Sequence, residues 1–142
     1  MFVTWYSRPI RQAMARGIVI HNPNPPKEEL DKLLNYPDTP YFNILVIGWR
    51  WDPGNNREVM VQRLKQETFL EKKNKQRIPL ANAILPSGLH RALVLLFPKQ
   101  DGGSPTLSLA DKEVTLQFKS GQSTLRIKFN LQQMTMNNSL IL

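Results

Sequence analysis

No cysteine occurs in the 142 residues. Disulfides, thiolate metal cages and thiol nucleophiles are therefore excluded together. Histidine is nearly as scarce: His21 and His90 are the whole complement. They stand far apart, each beside a turn-like segment, and no spacing ties either to Asp38, Asp52 or Asp111. A histidine–carboxylate metal centre is not expected from such a pattern. Long apolar runs are missing as well. The longest, Ile44–Ile47 and Ala92–Phe97, fall far short of the roughly 18 residues that a membrane-spanning helix needs, so no transmembrane segment is expected.

Catalytic motifs are equally absent. Ser87-Gly88 and Ser120-Gly121 lack the glycine two residues before the serine that a nucleophile elbow requires. No Gly-x-Gly-x-x-Gly and no phosphate-binding loop occurs. Glu28, Glu29 and Asp31 stand where a helix would begin, and the helix dipole accounts for them. Glu67 and Glu71 lie among bases and are expected to pair with Lys65 or Lys73. The expectation is a protein that is not an enzyme and carries no cofactor and no metal.

What is present points to a folded chain. Hydrophobic residues make up 41% and charged residues 21%, which suits one globular domain rather than a disordered chain. Lys and Arg number 19 against 11 Asp and Glu, for a net charge of +8. Such an excess favours anionic partners: nucleic acid, acidic lipid or an acidic protein. It is densest at Arg63, Lys65, Lys72, Lys73, Lys75 and Arg77. Met1–Tyr6 has no basic segment before it and no apolar core after it, so no secretory signal is read. The compartment is unknown: cytoplasmic if the sequence is complete, cell envelope or secreted if a leader has been removed.

Residue patterns along the chain are mostly those of strands. Val114, Leu116 and Phe118 alternate with polar residues, and across the Ser120-Gly121 turn so do Leu125, Ile127 and Phe129. Each strand thus has one face for a core and one for water. Tyr41–Trp51 and His90–Pro98 are apolar on both faces, the mark of central strands. Glu67–Glu71 and Arg77–Leu85 flank a polar connection as a hairpin, with Pro79 relegating the start of the second strand to an edge. Gly17–His21 reads as a short strand ended by Asn22-Pro23-Asn24-Pro25-Pro26, and Leu140–Leu142 as a last one. One short helix is expected near residues 26–35, with Leu30, Leu33 and Leu34 on one face and Pro37 as its stop. Residues 57–66 are ambiguous between helix and strand. The sum is mainly β: a single-domain antiparallel β-sandwich over residues 16–142, Ig-like or similar, preceded by an N-terminal arm, residues 1–15. A partly open barrel ranks second and a mixed α+β fold third.

Three groups of residues carry the functional expectations. The arm combines Phe2, Trp5 and Tyr6 with Arg8 and Arg11. Leaving each large apolar side chain in water forgoes about 1.5–3 kcal/mol, so the arm must cover its own domain's edge or insert into a partner. The same composition suits an anionic membrane surface. An aromatic rim of Tyr41, Trp49 and Trp51 shares one strand face by period-two spacing. The basic patch Arg63–Arg77 suits nucleic acid by phosphate attraction and stacking. The leading reading is an accessory or scaffold subunit of a larger assembly, acting by protein–protein binding. The alternatives are nucleic-acid binding through the basic hairpin, residues 63–77, and, behind it, carbohydrate binding through exposed tryptophans.

Overall fold

The alternating apolar positions near the C-terminal end build the clearest element of the structure. In this computed structural model, strands β9 (Glu113–Ser120) and β10 (Ser123–Asn130) pair antiparallel from Ser120↔Ser123 to Glu113↔Asn130 without a bulge. Gly121 takes φ +65 at the first turn position, the II′ pattern that matches strand twist. Described are all residues but 38, 52, 53, 55, 87–91, 109, 137, 138, 141 and 142, with no side-chain description for 120, 135, 136, 139 and 140. His90, Asp38, Asp52 and the expected turn at Ser87-Gly88 therefore lie outside the described residues.

The described residues form a mainly β fold, with two four-stranded antiparallel sheets, three α-helices and one 3-10 turn at Leu131–Gln133. Sheet A runs β1-β2-β6-β5, from strands β1 (Phe2–Trp5), β2 (Tyr41–Ile47), β5 (Asn82–Ile84) and β6 (Ala92–Pro98). Sheet B runs β10-β9-β3-β4, with β3 (Phe69–Lys72) and β4 (Arg77–Pro79). Phe42, Ile44 and Val46 of β2 and Leu93, Leu95 and Phe97 of β6 join Leu70, Ile78, Val114, Leu116 and Phe118 of sheet B in one core. The two-sided apolar runs do become central strands, since β2 and β6 each have a strand on both sides. Small ribbons complete the chain: β7 (Gln100–Asp101) with β8 (Ser104–Pro105), and β11 (Thr135–Met136) with β12 (Ser139–Leu140).

Among the described residues three α-helices stand where one was expected. Helix α2 (Lys27–Leu34) has the expected place, with Glu28 and Glu29 in its first turn and Leu33 buried, although Leu34 is exposed and the helix packs on α1. Helix α1 (Arg8–His21) replaces both the distal half of the arm and the expected strand Gly17–His21. Pro9 fits the first turn, where no intrahelical amide bond is lost, and Ile10, Met14 and Ile18 recur every fourth residue. The β-branched run Ile18-Val19-Ile20 costs only a few tenths of a kcal/mol per residue in a helix, which docking on α2 outweighs. Helix α3 (Arg57–Glu67) resolves the ambiguous segment: the Asn56 side chain accepts from the amides of Glu58 at 2.9 Å and Val59 at 3.4 Å, and Leu64 is buried. That is a helix N-cap.

The boundary between arm and domain disappears. β1 pairs with β2 along Phe2↔Ile47 to Trp5↔Ile44, and Trp5 is only 3% exposed, edge-on to Phe42 and Phe129. Position 15/16 falls inside α1, where Ala15 is buried. The arm thus covers its own domain's edge. The single strand expected over Arg77–Leu85 is two, β4 in sheet B and β5 in sheet A. Pro79 ends the first, and after Leu80 the Ala81 amide already donates to Leu96 O at 2.8 Å in sheet A.

Candidate functional site

Sheet B has two edges of opposite character. β4 spans three residues and contains Pro79, two features that discourage further pairing. β10, the other edge, is eight residues long and has neither proline nor glycine. Its alternation is set by the two-residue turn: Ser120 and Ser123 form the hydrogen-bonded closing pair. Leu131 N donates to Lys112 O at 3.1 Å in the same phase. Odd-numbered residues therefore bond to β9, and the amides and carbonyls of Thr124, Arg126 and Lys128 point to the open side. The side chains of these three residues are on the outer face, while Leu125, Ile127 and Phe129 turn inward.

Beside this edge the outer face of sheet B is cationic, with two acids, Glu71 and Glu113, among the bases. Glu71, on β3, is 9% exposed and accepts from Arg126 Nη2 at 3.2 Å and Arg77 Nε at 3.3 Å, with Lys75 Nζ at 3.9 Å. Burial pushes the Glu71 carboxyl up, but the two arginine hydrogen bonds and the charges of Lys75 and Arg126 outweigh it, leaving it below the usual carboxylate range. Arg126 also donates to Gln117 Oε1 at 2.6 Å, and Lys128 pairs with Glu113 at 3.7 Å. A shallow cavity of about 350 Å³ between these groups is lined by Lys72, Lys73, Lys75, Arg126 and Lys128 against Glu71 and Glu113. Glu67 pairs with Lys119, so both glutamates take partners other than the expected Lys65 and Lys73. Those partners come from β9 and β10 as well as from the β3–β4 turn, a juxtaposition that local spacing does not reveal.

The lowered Glu71 carboxyl has a pH consequence. Between its folded value and the higher value of an unfolded glutamate, the unfolded chain binds more protons, so stability rises with pH there. The contribution is complete above the ordinary glutamate range and is lost as pH falls through the lowered value. Chemical-denaturation midpoints measured from about pH 6 to pH 2 are expected to decline less steeply in Glu71→Gln than in wild type over that interval.

The expected basic patch divides. Lys72, Lys73, Lys75 and Arg77 stay together near Glu71, but Lys72 is held by Asp111 at 3.4 Å in a mostly buried pair, and Arg77 lies over the Phe69 ring at 4.1 Å. Arg63 and Lys65 are on α3. Arg63 lines a separate cavity of about 520 Å³ with Arg50, Trp49, Trp51, Glu67 and Lys119.

The aromatic rim is not one face. β2 ends at Ile47, and Gly48 takes φ +88, which breaks the period of two before Trp49. Trp49 is buried, Trp51 is half-buried with Arg57 over its ring at 5.4 Å, and its Nε1 donates to Pro86 O at 3.4 Å. Tyr41 belongs to another cavity, with Arg8 and Arg11. Among the arm residues, Phe2 and Arg8 are exposed, Trp5 is in the core, and Tyr6 and Arg11 are half-buried against Tyr36.

Among the described residues there is no group of three or more His, Asp and Glu placed to hold a metal, and no helix is long and apolar enough to cross a membrane. No family model, curated protein or solved structure matches the chain.

Proposed function

We propose that the protein is a non-catalytic binding subunit, built as a sandwich of its two sheets, that docks an extended acidic segment of a partner protein along β10. The observation that carries this reading is the eight-residue edge with which no further described strand pairs, and its outward backbone row at Thr124, Arg126 and Lys128. A sheet edge of this length, unblunted by proline, glycine or bulge, is a template for an added strand. Backbone hydrogen bonds would supply affinity, and side chains opposite the outer and inner faces would supply choice of partner.

Charge selects the partner's chemistry. In a second copy paired antiparallel through the same edge, the two registers of longest overlap centre on Arg126 or Ile127. They set Arg126 against itself or against Lys128, and like charges directly opposite are destabilising. A strand with acidic residues opposite Arg126 and Lys128, and apolar residues opposite Leu125, Ile127 and Phe129, meets no such penalty. The net charge of +8 draws such a segment in and speeds encounter.

The cavity between Arg50, Arg63, Lys119 and the Trp51 ring favours a second reading, single-stranded nucleic acid held by phosphate contacts and stacking. Glu67 in the same lining works against it.

One titration separates the readings. An eight-residue peptide alternating glutamate and valine is expected to bind saturably and to shift β10 amide resonances, whereas a lysine–valine peptide is not. Lys128→Pro removes an amide on the open side and leaves the β9 ladder whole, since proline is tolerated on that side of an edge strand. It is expected to weaken the acidic peptide about tenfold or more. If the peptide binds Lys128→Pro as well as wild type, or if salt-sensitive oligonucleotide binding is the one interaction seen, docking along β10 is wrong.

A further inference from the structure

The outer face of sheet A is only partly covered by α1 and α2. Between them lies a cleft of about 820 Å³, floored by Leu45, Val94 and Leu96, with Ile47, Ile84 and Met14 at its sides. Its size and apolar lining are those of small-molecule sites, which add a few placed polar groups to fix orientation.

The polar groups here are at one end. Asn43, nine-tenths buried on β2, donates from Nδ2 to the Tyr36 hydroxyl at 2.7 Å, and its Oδ1 has no partner. Whichever way the amide is set, one end is orphaned in a low-dielectric wall, where a lost hydrogen bond is costly. Behind Asn43 and Tyr36 opens a second cavity of about 350 Å³, which shares Tyr6 and Pro37 with the cleft and adds Arg8, Arg11, Tyr41 and Lys99. Arg11 lies over the Tyr36 ring at 4.6 Å and donates to Tyr6 O at 2.7 Å, while its Nε is buried and also lacks a partner. The first turn of α1, which brings Arg8 to this cavity, carries no acidic residue. On the α2 side the cleft meets Glu28, Asp31 and Lys32 instead, with Lys32 paired to Glu28 at 3.2 Å, so that rim is net acidic through Asp31. An anion is therefore attracted to the arginine end and repelled from the α2 rim.

We infer that the cleft binds a single-chain acidic amphiphile taken up as a monomer, its hydrocarbon body on Leu45, Val94 and Leu96 and its anionic head beside Arg8, Arg11 and Lys99. The orphaned Asn43 amide meets the polar atom where head joins chain. This site is on the opposite sheet from β10 and stands or falls independently of strand docking.

The test uses straight-chain alkyl carboxylates of eight, ten and twelve carbons, below their aggregation concentrations, with calorimetric or fluorescence readout on the full chain. Affinity is expected to rise about fourfold for each added methylene while the chain fits the cleft. The twelve-carbon alcohol is expected to bind about tenfold more weakly than the carboxylate. Arg8→Gln combined with Lys99→Gln, which leaves Arg11 in place, should shrink that difference and keep the chain-length dependence. Ile84→Asp, at an exposed rim position, should abolish the chain-length dependence; Ala92→Phe, which narrows the cleft, serves as a second blocking variant, and unchanged thermal unfolding shows that each remains folded. Binding that does not vary with chain length, or that survives both blocking substitutions, overturns the inference. So does association with anionic vesicles alone, without monomer binding.

Discussion

Deleting residues 1–15 is expected to abolish the folded state rather than to free a domain from its arm. The deletion removes the whole of β1 and with it the ladder to β2 from Phe2↔Ile47 to Trp5↔Ile44. It also removes the Tyr6 amide donated to Asn43 O at 2.8 Å, and the half of α1 that holds buried Ala15. Trp5 is the largest single loss, because its ring packs edge-on against Phe42 of sheet A at 5.9 Å and Phe129 of sheet B at 5.3 Å. Trp5→Ala alone is expected to cost about 3–5 kcal/mol, against a total of about 5–15 kcal/mol for an ordinary domain. Circular dichroism and chemical denaturation of the truncated chain and of Trp5→Ala measure both effects. A truncated chain that still unfolds cooperatively with an unchanged midpoint would place the first residues outside the fold. Partner binding has to be probed with surface substitutions, because a truncation would lose binding through unfolding.

Leu116→Ala is expected to cost about 2–5 kcal/mol, and Gln117→Ala less than about 0.5 kcal/mol. The two neighbours occupy opposite faces of β9, the strand between β3 and β10. Leu116 is fully buried, opposite Leu70 on one side and Ile127 on the other. Truncating it leaves a cavity between two strands that cannot close without breaking their ladders. Gln117 is half-buried on the outer face, where its Oε1 accepts from Arg126. Replacing it removes one exposed hydrogen bond and no core volume. Equal costs at the two positions would mean that the inside and the outside of sheet B are assigned wrongly.

How much of this was legible depends on the range of the information. The β9–β10 hairpin was readable because alternation, turn and register all reside within Glu113–Asn130. Helix α2 was readable for the same reason, with its acids, leucines and Pro37 inside a dozen residues. Helix α1 was not, because Ile18-Val19-Ile20 looks like a strand, yet it forms the last turns of a helix already running from Arg8 that packs on α2, with Val19 and Ile20 left exposed. Trp49 and Trp51 were misplaced by assuming that period-two spacing continues past Gly48, whose φ of +88 ends it. The ion-pair partners of Glu71 come from Arg77 and from Arg126, 55 residues away, and only the strand order brings the latter close. The open β10 edge and the cleft on sheet A have the same origin. Which strand is outermost, and which sheet face the helices leave bare, are properties of long-range pairing that no local pattern states.

Backbone amide exchange along β10 tests the docking claim most directly. In the free protein the amides of Leu125, Ile127 and Phe129, bonded to β9, are expected to exchange slowly, and those of Thr124, Arg126 and Lys128 quickly. Saturation with the glutamate–valine peptide is expected to slow the second set and leave the first as it was. Slow exchange at Thr124, Arg126 and Lys128 before any peptide is added would show that the edge is already closed. Fast exchange there with the peptide bound would show that it binds elsewhere.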